Sequence, residues 1–262
     1  EGYAVSGDGL VVGGFRSSSN EGHDPFRWTA ADAMTSLGSL PGGSNTGQTR
    51  GISQDGQTLV GMSESSNGRE AFRWTSTDGI VGLGDIAGGG FSSQANAASA
   101  DGSVIVGVGE SADGDEAFRW TASTGMEGLG DVPGGQFGSS ALAVNGDGSV
   151  IVGRANGASS FFGDTDAFVW TEQDGMRLLS DILTQDFGVD LTGWTLLEAT
   201  GVSADGAWIT GNARNPDNNS EAFIAFIAVP SPAAAPIMLL ALMLCGFRRN
   251  RRQRAQTDQL GI

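Results

Sequence analysis

Glu70-Ala71-Phe72-Arg73-Trp74-Thr75, the stretch EAFRWT, stands between two near-copies of itself. Asp24-Pro25-Phe26-Arg27-Trp28-Thr29 lies 46 residues before it, and Glu116-Ala117-Phe118-Arg119-Trp120-Thr121 lies 46 residues after it. Looser copies follow at Asp166-Ala167-Phe168-Val169-Trp170-Thr171 and Glu221-Ala222-Phe223-Ile224. Phe and Trp two positions apart share one face of an extended strand. A fixed period overrides the one-or-two-domain prior that 262 residues would otherwise carry, and it identifies a repeat architecture.

A second phrase runs in register with the first. VSGDGLVVG (5–13), ISQDGQTLVG (52–61), ASADGSVIVG (98–107), VNGDGSVIVG (144–153) and VSADGAWITG (202–211) each set Asp-Gly between short β-branched or apolar runs. The aspartates are Asp8, Asp55, Asp101, Asp147 and Asp205, and their spacings are 47, 46, 46 and 58. Asp and Gly tolerate the positive φ of a tight turn, so each copy reads as strand, turn, strand. The Phe–Trp stretch supplies a third strand. AMTSLG (33–38), GIVGLG (79–84) and GMEGLG (125–130) supply a short fourth. Four strands per repeat specify an all-β chain, a β-propeller of about five visible four-stranded blades over residues 1–229. A parallel β-helix is the alternative architecture. Its coils are usually shorter than this period and do not each carry a hairpin signal.

The aromatic pair follows from that architecture. A lone four-stranded sheet cannot bury its faces and must pack on its neighbours. Phe26, Trp28, Phe72, Trp74, Phe118, Trp120, Phe168 and Trp170 are therefore expected between blades, at about 25 cal/mol per Å² removed from water. A stacking platform for carbohydrate is the other use of such rings. Counted from Tyr3, the chain supplies four complete blades and three strands of a fifth ending at EAFIAFIAV (221–229). A closing strand from upstream, and with it a signal peptide or further blades, is expected beyond residue 1.

Charge is unevenly placed. Residues 1–229 carry 29 acids and 9 arginines, a net of −20, while residues 230–262 carry Asp258 and five arginines, a net of +4. An acidic body repels phosphate backbones, which argues against nucleic acid as a partner. The single cysteine, Cys245, lies in the apolar tail, so the body has neither disulfides nor thiolate metal sites. The single histidine, His23, is not set in a serine–histidine triad motif. Arg27, Arg73 and Arg119 are not essential partners of the hairpin aspartates, because Val169 and Ile224 replace them where Asp147 and Asp205 remain.

The fourth repeat departs from the others. RANGASSFFGDTD (154–166) lengthens one connection and RLLSDILTQDFGVDLTGWTLLEAT (177–200) another. Ser180 and Asp181 are expected to cap a short helix through Leu183 that stops near Gly188. Insertions of this kind collect on one rim, where binding loops sit. Asp164, Asp166, Asp181 and Asp186 are the candidates for a carboxylate pair of a glycan-cleaving enzyme, since an active site must break the repeat. Clustered oxygens at Asp113, Asp115 and Glu116, and at Asp164 and Asp166, are the candidates for calcium. Neither cluster has the full twelve-residue loop spacing.

EAFRWT, GMEGLGDVPGG (125–135) and the VSADG phrase together resemble the HAF-repeat family of extracellular bacterial proteins, over nearly all of residues 1–229. The histidine position of that family's triplet is acidic here in every copy: Asp24, Glu70, Glu116, Asp166 and Glu221. The resemblance implies export and a repeat architecture, with no enzymatic activity, catalytic residue or cofactor. The hairpin phrase is also similar to the Asp-box of sialidase-type propellers, where the aspartate stabilises a turn.

The tail has a separate reading. No charge occurs from Ala222 to Phe247, and AAAPIMLLALMLCGF (233–247) runs directly into Arg248, Arg249, Arg251, Arg252 and Arg254. A helix over 233–247, begun nearer Ala228 and anchored by its arginines, is expected to span a membrane with the propeller outside the cytoplasm. The stretch from Val229 through Pro230-Ser231-Pro232 to the basic run at 248–254 resembles the PEP-CTERM sorting signal, with Ser231 in place of that family's glutamate. This resemblance implies inner-membrane anchoring, cleavage near Pro230–Pro232 by an exosortase-type enzyme, and transfer to the cell surface or matrix. The chain is thus expected to be an exported, non-enzymatic platform for extracellular polysaccharide or surface proteins. A carbohydrate-binding or carbohydrate-active propeller is the alternative.

Overall fold

The computed structural model describes residues 1–17, 22–44, 46–157, 164–227 and 243–244. Each repeat is an antiparallel four-stranded unit. Blade 1 comprises β1 (Gly2–Val5), β2 (Val12–Ser17), β3 (His23–Thr29) and β4 (Ala33–Ser36). Blade 2 comprises β5 (Gly47–Ile52), β6 (Leu59–Ser65), β7 (Gly68–Thr75) and β8 (Gly79–Gly82). Blade 3 comprises β9 (Gly88–Ala98), β10 (Val104–Ser111), β11 (Gly114–Thr121) and β12 (Gly125–Gly128), and is joined to blade 2 by one parallel bridge, Arg69 to Ser92. Blade 4 comprises β13 (Ser139–Val144), β14 (Val150–Ala155), β15 (Asp166–Thr171) and β16 (Gly175–Leu178). Blade 5 comprises β17 (Thr195–Val202), β18 (Trp208–Arg214), β19 (Ser220–Phe226) and β20 (Met243–Leu244).

The second strand of each blade shows why the sequence reads as it does. In blades 2 to 4 it lies mid-sheet between two neighbouring blades, so both of its faces are buried and alternation gives way to an apolar run, whereas β18 of blade 5 alternates buried and exposed. In β10, Ile105 packs back on Val60, Ala71 and Leu83 of blade 2. Val104 and Val106 pack forward on Ala141, Ile151 and Phe168 of blade 4. In blades 2 to 4 the Phe–Trp pair faces the preceding blade, and in blade 5 Phe223 does so without a tryptophan. Phe72 and Trp74 meet Val11, Leu37 and Leu40 of blade 1, and Phe223 meets Val150, Val152 and Leu183 of blade 4. Phe72, Phe118 and Phe168 are completely buried. Of the expected aromatics, Phe72, Trp74, Phe118, Trp120, Phe168 and Trp170 pack into seams between blades.

Blade 1 presents the same face with no blade against it among the described residues. Val5, Trp28 and Met34 are 59%, 38% and 48% exposed, while their counterparts Ile52, Trp74 and Ile80 pack into a core.

The tail differs from its expected form at the two residues where it is described. Met243 and Leu244 are extended and pair with Ile224 and Phe223, in the fourth-strand position that Val81 and Gly82 fill in blade 2. At these two residues the fourth strand of blade 5 is drawn from the tail. The open edge of β19 offers unpaired backbone groups, which an apolar extended segment satisfies. The rest of the expected helix 233–247, the sorting motif Val229–Pro232, and Arg248, Arg249, Arg251, Arg252 and Arg254 lie outside the described residues. Among the described residues no helix is long and apolar enough to cross a membrane.

The helix expected after Ser180 also shifts. One helical turn, Leu179–Asp181, continues as a π-helical turn, Ile182–Asp186. Its N-cap is Leu178 with no side-chain cap, so Ser180 does not cap it; burial of Leu179, Ile182 and Leu183 against blade 5 holds it instead. The turn ends where Gly188 adopts φ +68°.

Candidate functional site

Each Asp-Gly turn is a closed polar unit. Ser53 Oγ donates to Asp55 Oδ1 at 2.6 Å, Asp55 Oδ1 accepts the Gln57 amide at 2.9 Å, and Ser53 Oγ accepts the Thr58 amide at 2.9 Å. Ser6–Asp8, Ser99–Asp101 and Ser203–Asp205 repeat this arrangement, with Asn145 replacing serine before Asp147. The buried hydroxyl is satisfied on both sides, as a buried polar group must be. The residue after each serine or asparagine links neighbouring turns. The Gly7 amide donates to Gln54 O, Ala100 to Gly146 O, and Gly146 to Ala204 O, at 2.9, 3.0 and 3.0 Å; Asp55 donates to Ala100 O at 3.1 Å. The five aspartates are scaffold.

The recurring acid before Ala-Phe is also structural. Glu70 accepts the Gly84 amide at 3.1 Å and Glu116 accepts the Gly130 amide at 2.9 Å, which closes the turn after the fourth strand. Serines of the next blade complete the joint. Ser93 Oγ accepts from the Ala71 amide and donates to Gly84 O, and Ser139 does the same for Ala117 and Gly130. These serines carried no signal within their own strand, because their partners belong to the preceding blade.

The recurring arginine finds its carboxylate five residues on. Arg27 reaches Asp32 at 3.4 Å and sits 5.9 Å from the ring centroid of Trp74 in blade 2. Arg73 reaches Asp78 at 2.7 Å.

Two clefts open between blades 3 and 4, each of about 380 Å³. The first is lined by Val108, Asp115, Ser140, Arg154, Asn156 and Thr165, and lies at the second-to-third-strand hairpin end of the blades. Arg154 reaches Glu198 of blade 5 at 3.6 Å, and Thr165 Oγ1 donates to Leu197 O at 2.7 Å. The second lies at the opposite end, between Arg119, the Asp147–Ser149 turn, Trp170 and Asp174.

The candidate acids of the fourth repeat are engaged separately. Asp164 is held in a two-point ion pair by Arg214, and Asp186 in another by Arg177, with Nη1–Oδ2 at 2.8 Å and Nη2–Oδ1 at 3.2 Å. Asp166 is buried, and Asp181 sits in the helical turn before Ile182. Of the calcium candidates, Asp115 lines the first cleft while Glu116 is engaged with Gly130, and the Asp113 amide donates to Ser111 Oγ in the hairpin. Among the described residues no three His, Cys, Asp or Glu side chains gather as a metal site. No such group forms around the calcium candidates Asp113, Asp115, Glu116, Asp164 and Asp166. Alternation along a strand sends neighbouring acids to opposite faces, and Arg214 neutralises Asp164.

Two sets of carboxylates titrate in opposite senses. Hydrogen bonds from Ser6 and the Leu10 amide hold Asp8 below the usual carboxylate range; those from Ser103, Ser149 and Ser203 do the same for Asp101, Asp147 and Asp205. Burial pushes Asp85 and Asp131 up, and the nearby charges of Glu110 and Glu116 add to the effect. The first set stabilises the fold above the unfolded aspartate value of about 3.9, and that contribution is lost as pH falls through the depressed values. The second set opposes folding when charged, and the penalty is relieved as pH falls through the raised values. Thermal midpoints are therefore expected to rise from pH 7 into the mildly acidic range and to fall below about pH 4. A midpoint that declines steadily from pH 7 would contradict this balance.

No protein-family model matches the chain, and no curated protein matches it in sequence. Solved structures do. TolB from Acinetobacter baumannii superposes with a TM-score of 0.57 at 13% identity over 85% of this chain, which spans 50% of that protein. A TolB-type protein from Agrobacterium tumefaciens gives 0.53 at 13% identity, covering 86% of this chain and 76% of the other. A prolyl endopeptidase gives 0.55 at 11% identity over 87% of this chain, which spans 33% of that enzyme. The chain spans about half the length of the Acinetobacter protein. Identities this low speak for the fold alone: an all-β protein with TolB-type β-propellers as its structural neighbours.

Proposed function

We propose that the chain is an exported, surface- or matrix-associated, non-enzymatic repeat protein whose propeller is an interaction platform for extracellular polysaccharide or surface proteins. The observation that carries this reading is where the repeated polar residues go. Hairpin aspartates, the acids before Ala-Phe, and Arg27 and Arg73 all close turns or join strands within the scaffold. The irregular acids Asp164 and Asp186 are tied to arginines, Arg214 and Arg177. The mixed polar clefts between blades 3 and 4 suit binding more than cleavage.

The tail serves sorting in this reading. Residues 233–247 span the inner membrane in the precursor, Arg248, Arg249, Arg251 and Arg252 stop transfer, and an exosortase-type enzyme acts near Pro230–Pro232. Pairing of Met243 and Leu244 with β19 is worth a few backbone hydrogen bonds, each about 1 kcal/mol net. Transfer of fifteen mostly apolar residues to hydrocarbon outweighs that at about 25 cal/mol per Å². Beside a bilayer the segment leaves the blade edge.

Secretion in a host that supplies a leader and an exosortase-type enzyme tests the scheme. The full chain is expected first in the membrane fraction and then outside the cell, co-sedimenting with matrix polysaccharide. A chain ending at Val229 is expected to bypass the membrane. Full-length protein that stays cytosolic despite the leader, or released protein that sediments with no matrix polymer, would overturn the reading.

A further inference from the structure

The repeat breaks its own symmetry at Arg119. In blades 1 and 2 the recurring arginine is neutralised by Asp32 and Asp78, five residues on. Blade 3 has Thr124 at that position, and its Oγ1 turns to Thr121 Oγ1 at 2.9 Å. Arg119 has no ion-pair partner among the described residues, and its Nε is a buried donor with no acceptor. The Nε is closed off, so it is the rest of the half-buried guanidinium, left without the carboxylate its counterparts have, that is a candidate contact for a ligand. Arg119 lines the second cleft, together with Trp170 and the acidic residues Asp147, Glu172 and Asp174.

The lining restricts the ligand. Arg119 requires an acceptor, and three carboxylates around one arginine repel an anion, as does a chain of net charge −16. Hydroxyl groups meet both demands, because each accepts from a guanidinium and donates to a carboxylate. An indole edge or face beside them suits the C–H face of a pyranose. We propose that the cleft between blades 3 and 4 at Arg119 and Trp170 is a subsite for a neutral, hydroxyl-rich saccharide. The proposal rests on the platform reading and names the chemistry one part of that platform takes.

Thr124→Asp tests it without removing a wall of the cleft. Asp78 shows that aspartate fits this turn, since its amide donates to Thr75 Oγ1 at 3.1 Å and its carboxylate accepts from Arg73. The substitution restores to blade 3 the partner that occupies the arginine elsewhere. Titration calorimetry and tryptophan fluorescence would follow the full chain with neutral tetrasaccharides of glucose, mannose, galactose and xylose, and with tetragalacturonate. At least one neutral sugar is expected to bind saturably and perturb Trp170, with tetragalacturonate weaker. Thr124→Asp and Arg119→Gln are each expected to weaken that binding roughly tenfold or more at unchanged circular dichroism and thermal midpoint. Failure of all four neutral sugars at tens of millimolar, tighter binding of the uronate, or unaltered binding by either folded variant would overturn the assignment. Polymer co-sedimentation that persists in both variants would sink this subsite and leave the platform standing. Tetrasaccharide binding without polymer binding would do the reverse.

Discussion

Gly107→Ala is expected to abolish the native fold. Gly107 lies in β10 opposite the bulge of β9, where the register slips between Val106 and Gly107. A Cβ there would overlap the Gln94 carbonyl oxygen and come within 2.8 Å of Phe118 Cε1 and 2.9 Å of Ala95 Cα. None of these can retreat. Gln94 and Ala95 belong to a paired strand, and the Phe118 ring is completely buried. Gly61, Gly153 and Gly211 stand in the same relation to Gln48, Ser140 and Glu198, so this approach is a property of the blade. A clash against fixed backbone exceeds the usual overpacking cost of about 1–3 kcal/mol, a large share of a total near 5–15 kcal/mol. Gly79→Ala is the control: φ is +69° and nothing lies within 4 Å of the added carbon, so the loss is only about 1–2 kcal/mol of backbone strain. Far-UV circular dichroism and urea denaturation would separate the two. A Gly107→Ala protein with a cooperative transition near that of Gly79→Ala would refute the bulge argument.

That glycine shows what the sequence reveals and what it withholds. The recurrence of Gly after Val-Ile-Val was plain at residues 104–107 and 150–153. Its cause was not, because the obstructing carbonyl comes from a bulge in the partner strand that no local pattern encodes. Asp-Gly turns and the Phe–Trp alternation were legible because each depends on neighbours within a few residues. Ser93 and Ser139 were not, since each staples the third and fourth strands of the blade before it. Asp32 and Asp78 lie in the turn between the third and fourth strands, and the pairing of Arg27 and Arg73 with them is local. The same spacing would have exposed Thr124 as the exception. At the fourth repeat, length alone pointed to a rim, and one cleft does lie beside Thr165. Two of the four acids there, Asp164 and Asp186, are neutralised by arginines from β18 and β16, a tertiary fact. The pairing of Met243 and Leu244 with β19 was hidden for another reason. An apolar run next to arginines reads as a membrane segment, and nothing in it marks two residues for a sheet edge.

Phe118→Ala is expected to cost about 3–5 kcal/mol, the range for emptying a buried phenylalanine site. The ring fills the seam between blades 2 and 3 with Val60, Ala71, Leu83 and Ile105, and the backbone on both sides is held by ladders that cannot collapse into the void. The same repeat position need not carry the same energy. Trp120 packs into that seam, whereas its counterpart Trp28 is 38% exposed on the face of blade 1 that no described residue covers. Burial decides the difference: Trp28→Ala is expected to cost about 1 kcal/mol or less, and Trp120→Ala several times that, because only the second removes apolar surface from between two blades. Urea titrations of the three variants with a common slope would give the ranking Phe118, Trp120, Trp28. Equal losses at Trp28 and Trp120 would show that something covers the first blade in solution. A small loss at Phe118 would show that the seams are not what holds the repeat together.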